Sequence, residues 1–209
     1  MGKENLHGKQ GRIVAAILAG GSGTRAGGEV PKQFWQVAGR SVLEHAVAAF
    51  ERNARVDEIV IVSRPADLPA VEALVSRVGW HKVTRVVAGG RERYDSSLAA
   101  IRLYDDPTIR LLLHDAARPL VSQQIIDAVI DALASHDAVA VALPVTDTIF
   151  RVREGSVEEI VERSSLARAQ TPQAFTLATI RAAYDKALAD PLFRATDDCG
   201  VLMRYLPGT

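Results

Sequence analysis

Cysteine is almost missing from this sequence. One residue, Cys199, stands among 209, so no internal disulfide can form, and a reducing compartment, the cytoplasm, is expected. An excess of either charge is missing too. With 25 basic and 25 acidic residues the formal net charge is +0, which leaves no broad electrostatic footprint for nucleic acid. No apolar run approaches the roughly 20 residues that cross a bilayer, so no membrane partner is expected. The first twelve residues, MGKENLHGKQGR, are polar and basic without the apolar stretch of a secretory signal; residues 1–12 are read as a disordered leader. The histidines are scattered and the cysteine is alone, which excludes a zinc-type ligand cluster. There is no internal repeat and no low-complexity segment.

What the chain does have is apolar segments in regular alternation. Hydrophobic residues make up 48%, enough for a substantial core, in a length that suits one α/β domain over residues 13–209. Residues 12–19 (RIVAAILA) read as a buried strand. Residues 41–53 read as a helix: Ser41 and Glu44 form an S-x-x-E capping box, and Val42, Leu43, Ala46, Val47 and Phe50 share one face. Strands follow at 58–63, 83–88, 109–114 and 138–143, with helices at 67–78, 91–104 and 122–135. In the last of these Ile125, Ile126, Val129, Ile130 and Leu133 are expected to face inward. Such alternation implies a mostly parallel sheet covered by helices on both faces, a Rossmann-like three-layer sandwich. After Pro144 the pattern changes. Residues 146–152 and 157–162 read as two strands around the turn Glu154–Gly155, a hairpin arm over about 145–165 that leaves the body. A last helix is expected at 176–188.

In sheets of this kind ligands bind beyond the carboxyl ends of the strands. The segments there are 20–32, 63–67, 89–96, 115–119 and 144–148. The first belongs to LAGGSGTRAGGEVPKQF, residues 18–34. Its glycines let backbone N–H groups approach a phosphate, and Arg25 and Lys32 add cations. That composition suits a polyphosphate, with charge available where negative charge grows during group transfer. Two rival motifs fail. Gly21-x-Gly23-x-x-Ala26 matches the dinucleotide fingerprint only formally: the glycines run on to Gly28, Pro31 intervenes, and the second strand ends in Ser63-Arg64 where an acid is required. The Walker pattern is absent, since Lys32 lies between Pro31 and Gln33.

The series AGGSGTR…PKQF, GGRERYDSS (89–97), HDAARP (114–119), Asp147-Thr148, Arg163, QTPQ (170–173) and TDD (196–198) resembles, in order, the signature of the nucleotidyltransferases that act on polyol phosphates. These are the 2-C-methyl-D-erythritol 4-phosphate and D-ribitol 5-phosphate cytidylyltransferases. The resemblance implies the fold of the nucleotide-diphospho-sugar transferases. It also implies transfer of a cytidylyl group from CTP to methylerythritol phosphate with release of pyrophosphate, a step of isoprenoid precursor synthesis. Ribitol phosphate is the alternative acceptor. A non-catalytic nucleotide-binding module is a remoter one.

By the same resemblance Arg25 and Lys32 bind the triphosphate and stabilise the transition state. Ala19, Gly20, Gly21, Ser22, Gly23 and Thr24 line the nucleotide, Gly90 and Ser96 meet cytosine, and Asp115 lies near ribose and polyol. Arg118, Thr148, Arg163 and Thr171 hold the polyol phosphate. Mg²⁺ arrives on the CTP phosphates, with no metal site of the protein's own, and the arm builds a homodimer. Relatives continue with an N-[LI]-K-[VI]-T segment whose lysine also binds the triphosphate. No lysine follows Lys186 here, so the C-terminal end is expected to be incomplete.

Overall fold

The computed structural model describes residues 11–21 and 30–208. In chain order the elements are Ile13–Ala19 (β1), Gln36–Val37 (β2), Arg40–Ser41 (β3), Val42–Glu51 (α1), Glu58–Ser63 (β4), Leu68–Val78 (α2), Val83–Ala88 (β5), Arg93–Ile101 (α3), Arg110–Asp115 (β6), Gln123–Ala132 (α4), Ala138–Pro144 (β7), Ile149–Arg153 (β8), Ser156–Val161 (β9), Ala167–Thr176 (β10), Leu177–Leu188 (α5) and Asp198–Tyr205 (α6). Six strands form one sheet in the order β5-β4-β1-β6-β10-β7. β1, β4, β5 and β6 run parallel, and β10 is antiparallel to both neighbours.

β1 is buried at every position, as a strand covered on both faces must be. Its alternation divides the core in two. Ile13, Ala15, Ile17 and Ala19 pack with Leu43 and Phe50 of α1, Val71 of α2 and Ile126 and Ile130 of α4. Val14, Ala16 and Leu18 pack with Leu98 and Ile101 of α3, Ile180 and Tyr184 of α5 and Val201 of α6. Three layers result, helices on either side of the sheet. The capping box forms as its sequence requires: Ser41 N–H donates to Glu44 Oε2 at 2.7 Å and Glu44 N–H to Ser41 Oγ at 3.2 Å.

The structure departs from the sequence reading in four places. Ile125 is exposed while Ile126, Val129, Ile130 and Leu133 are buried. The inward stripe steps i, i+3, i+4, i+7 from Ile126, and Ile125 lies about 100° off it. β10 has no apolar run to announce it, because Gln170, Thr171, Pro172 and Gln173 interrupt it. Its pairing with β7 breaks register between Ala169 and Gln173, and an irregularity of this kind is where a strand tolerates proline. The β2–β3 ladder pairs only two residues with two. α6 is one short helix whose Asp197 side chain caps Gly200 N–H at 2.8 Å.

The arm is β8 paired antiparallel with β9. Glu154 and Gly155 both hold positive φ, 52° and 81°, as a tight hairpin turn with the strands' own twist demands. Phe150 faces Ile160 and Val152 faces Val157 across the ladder, so these four share one side. They are 51–67% exposed. The opposite side carries Arg151–Glu159 and Arg153–Glu158 ion pairs.

Candidate active site

The register aligns the strand ends that matter. Ala19 pairs with Ser63, Ser63 with Ala88, and Leu18 with Asp115. The loops leaving β1, β4, β5 and β6 therefore rise from one edge. That edge is also where the chain's path reverses about β1, the place an open α/β sheet leaves a crevice. A cleft of about 760 Å³ lies there. Of the residues expected to bind nucleotide it is lined by Ala19, Gly20, Gly21, Lys32, Gly90, Ser96 and Asp115. Ser22, Gly23, Thr24 and Arg25 lie outside the described residues.

Ser96 explains two of the glycines. It is buried on α3, and a Cβ on Gly20 or Gly89 would come within 2.8 or 2.5 Å of its hydroxyl oxygen. Only glycine lets both strand-end loops close on that hydroxyl. Lys32 is held by its neighbour. Gln33 is buried, and its side-chain amide donates to the Ala19 carbonyl at 2.9 Å, tying the Lys32–Phe34 turn to the end of β1. Sequence reasoning gave Gln33 no role, nor Arg64, Arg91 and Arg93, which also line the cleft. Arg64 is gripped by both oxygens of Asp67, at 2.6 and 2.9 Å.

Asp115 is the half-buried carboxylate of the cleft. Arg93 Nε donates to its Oδ1 and Arg118 Nε to its Oδ2, each at 3.1 Å. Arg93 also reaches Asp198, and Arg118 reaches Gln170. Burial disfavours the Arg93 charge, but Asp198 and Asp115 outweigh it and hold the guanidinium above the ordinary arginine range. The sequence offers no signal for the Arg93–Asp198 pair, whose members lie 105 positions apart.

The four residues expected to hold polyol phosphate are not among those lining the cleft. Arg118 is half-buried at its edge. Thr148 and Arg163 are exposed at the two roots of the arm, where Arg163 Nη1 donates to the Thr146 carbonyl at 3.0 Å. Thr171 is buried under β6 and its hydroxyl is engaged. It accepts from Asp115 N–H at 3.2 Å and lies 3.0 Å from His114 Nδ1, to which it donates when the ring is neutral. His114 Nε2–H then donates to the Arg118 carbonyl at 3.0 Å. These bonds shape the 115–118 loop from beneath.

Burial above all keeps the imidazole neutral, lowering His114 to about 4 from 6.5. Between those values the unfolded chain takes up a proton that the native protein refuses. Stability from this group is thus full above pH 6.5 and falls as pH drops towards 4, by roughly 3 kcal/mol over the window. Urea unfolding at pH 7 and pH 4.5 should show that extra loss in the wild type relative to His114→Gln. Equal losses in the two proteins would mean that His114 titrates freely.

The family model described as 2-C-methyl-D-erythritol 4-phosphate cytidylyltransferase, IspD, matches residues 13–208. A 2-C-methyl-D-erythritol 4-phosphate cytidylyltransferase of Thermobifida fusca is 47% identical over 204 residues, covering 94% of this chain and 82% of that protein. A bifunctional ribulose 5-phosphate reductase/CDP-ribitol pyrophosphorylase of Haemophilus influenzae is 41% identical over 198 residues, 93% of this chain but 42% of that protein. The crystal structure of a 4-diphosphocytidyl-2C-methyl-D-erythritol synthase from Anaerococcus prevotii superposes with a TM-score of 0.81 at 29% identity, covering 94% of this chain and 83% of that one.

Proposed function

The chain belongs to the 2-C-methyl-D-erythritol 4-phosphate cytidylyltransferase family, and we infer that it does what that family does: it transfers a cytidylyl group from CTP to 2-C-methyl-D-erythritol 4-phosphate and releases pyrophosphate. The observation that carries this reading is the cleft itself, where Gly20, Gly21, Lys32, Gly90, Ser96 and Asp115 converge from three separate motifs.

The chemistry asks little of a general base. A phosphate monoester has a second pKa near about 6, so the acceptor oxygen is already ionised. It attacks the α-phosphorus of CTP in line, the bond to the β-phosphate oxygen breaks, and pyrophosphate leaves. Catalysis reduces to holding two anions together and neutralising the charge that builds. Lys32 and the backbone of Gly20 and Gly21 serve the triphosphate here, and Arg25 is assigned beside them by the resemblance.

No group of three or more His, Cys, Asp or Glu able to hold a metal ion occurs among the described residues. A cleft lined by Lys32, Arg64, Arg91 and Arg93 suits a magnesium ion carried in on the triphosphate and held through its phosphates. Such an ion would neutralise phosphate charge as the leaving group departs. We place the protein in the cytoplasm, a compartment in keeping with the unpaired Cys199. Among the described residues no helix is long and apolar enough to cross a membrane.

The arm supports a homodimer. A lone hairpin is marginal unless something packs on it, and the Phe150, Val152, Val157 and Ile160 side is bare in a single chain. A second subunit covering it would bring Thr148 and Arg163 to the neighbour's cleft, and their absence from this chain's own cleft lining favours that arrangement.

Pyrophosphate release with each nucleotide and both polyol phosphates tests the whole reading. CTP should be preferred over ATP and GTP, because a pocket closed by Gly90 and Ser96 around a pyrimidine excludes purines. UTP should lose about 10- to 100-fold in kcat/KM, since the C4 amino donor becomes a carbonyl acceptor, N3 turns from acceptor to donor, and buried polar groups are left unpaired. Preference for a purine would overturn the nucleotide assignment. Faster turnover with D-ribitol 5-phosphate would move the acceptor to the class named for the Haemophilus influenzae relative.

A further inference from the structure

The TDD segment has a motif's place in the sequence and no task in the reaction just described. Its last residue, Asp198, opens α6 and is fully buried. It is fixed from several sides. Tyr184 OH donates to its Oδ1 at 2.6 Å, and its backbone N–H donates to Gln173 Oε1 at 3.0 Å. Its remaining oxygen, Oδ2, accepts from Arg93 Nη1 at 2.5 Å.

Arg93 thus stands between two carboxylates that differ in exposure. The Asp198 side chain is 0% exposed and the Asp115 side chain 27%, so one lies on the core side and the other on the cleft side. The third arm, Nη2, is buried and has no protein partner among the described residues. Among the described residues the guanidinium's hydrogen bonds run to these two carboxylates. Packing does not demand such a pair, since an apolar replacement of similar volume usually serves stability as well or better.

We propose that Asp198 is a positioning residue for the nucleotide cleft, acting through Arg93 on the Asp115 carboxylate. Satisfied from behind by Asp198, Arg93 holds Asp115 Oδ1 by Nε alone while Arg118 Nε holds Oδ2, and the carboxylate stays at the cleft. With Asp198 neutral, Arg93 loses the anchor on Nη1 that fixes its guanidinium, and a turn of that group carries Asp115 Oδ1 with it against the hold of Arg118 on Oδ2. The carboxylate is then drawn away from the nucleotide.

This inference rests on CTP being the ligand, so calorimetric titration of Mg-CTP into the full chain, without acceptor, is the test. Asp198→Asn should weaken binding about 10-fold, within the coupling range of side chains sharing one network. Tyr184→Phe removes the bond to Oδ1 but leaves the Asp198–Arg93 pair. It should lower the melting temperature while holding CTP affinity within about two-fold. Arg93→Gln should itself weaken CTP binding, and adding Asp198→Asn to it should change nothing further. That double variant leaves neither buried charge of the pair unmatched, so it folds even if Asp198→Asn alone does not. Three results would overturn the proposal: Tyr184→Phe weakening CTP as much as Asp198→Asn, Arg93→Gln binding like the wild type, or Asp198→Asn acting undiminished on the Arg93→Gln background. A wild-type protein that binds no CTP would instead remove the function on which the proposal stands.

Discussion

Replacing Lys32 by alanine should lower the single-turnover rate about 100- to 1,000-fold and leave thermal melting essentially where it was. The size follows from the role proposed for the lysine. As the acceptor oxygen closes on the α-phosphorus, negative charge moves onto the departing pyrophosphate. A preorganised cation beside that charge is worth more in the transition state than in the bound substrate, and losing one such donor costs about 3–4 kcal/mol. The neutrality of the effect on folding follows from where the residue sits. Lys32 is half-exposed, and the bond tying its turn to the sheet belongs to Gln33, through the Ala19 carbonyl. Removing the lysine side chain leaves that anchor and the turn in place. Rapid-quench measurement at saturating CTP separates the chemical step from binding. A variant that turns over within a few-fold of wild type would take Lys32 out of the chemistry, whatever else lines the cleft.

The parts of this molecule that local chemistry writes were legible in the sequence. The IVAAILA run of β1 says that both its faces are buried, and Ser41 with Glu44 says where α1 begins. The turn at Glu154–Gly155 says that two strands meet there. The glycines after β1 read as a phosphate-friendly loop, although the reason Gly20 and Gly89 must be glycine became plain only with Ser96 between them. What stayed hidden was decided by distant residues. β10 is held in the sheet by β6 and β7 despite Thr171, Pro172 and Gln173, so no period in its own sequence marks it. Thr171 was expected to meet polyol phosphate, yet its hydroxyl is occupied by Asp115 N–H and His114, an engagement that requires β6 and β10 to be neighbours. Arg93, Asp115 and Asp198 come from three elements, and nothing local to any one of them announces the other two.

A second expected result concerns which chain supplies which cation. If the exposed side of the arm packs on a second subunit, the working site takes Lys32 from one protomer and Arg163 from the other. Lys32→Ala and Arg163→Ala proteins would each be nearly inactive alone, the first through lost transition-state charge, the second through a lost guanidinium grip on the acceptor's phosphate. Unfolded together in equal amounts and refolded, they pair at random, and roughly half the dimers are mixed. In a mixed dimer one site inherits both substitutions and the other inherits neither. Roughly a quarter of wild-type activity should therefore return, from two preparations that show almost none. A site built within one chain gives a different result, because no pairing then unites an intact Lys32 with an intact Arg163, and activity stays at the floor of the single variants. Phe150→Asp provides the independent check. Placing a charge on the bare apolar side, opposite Ile160, should cost the dimer by light scattering and, with it, the recovery on mixing. Recovery that persists in monomers would mean that the arm does not carry Arg163 across.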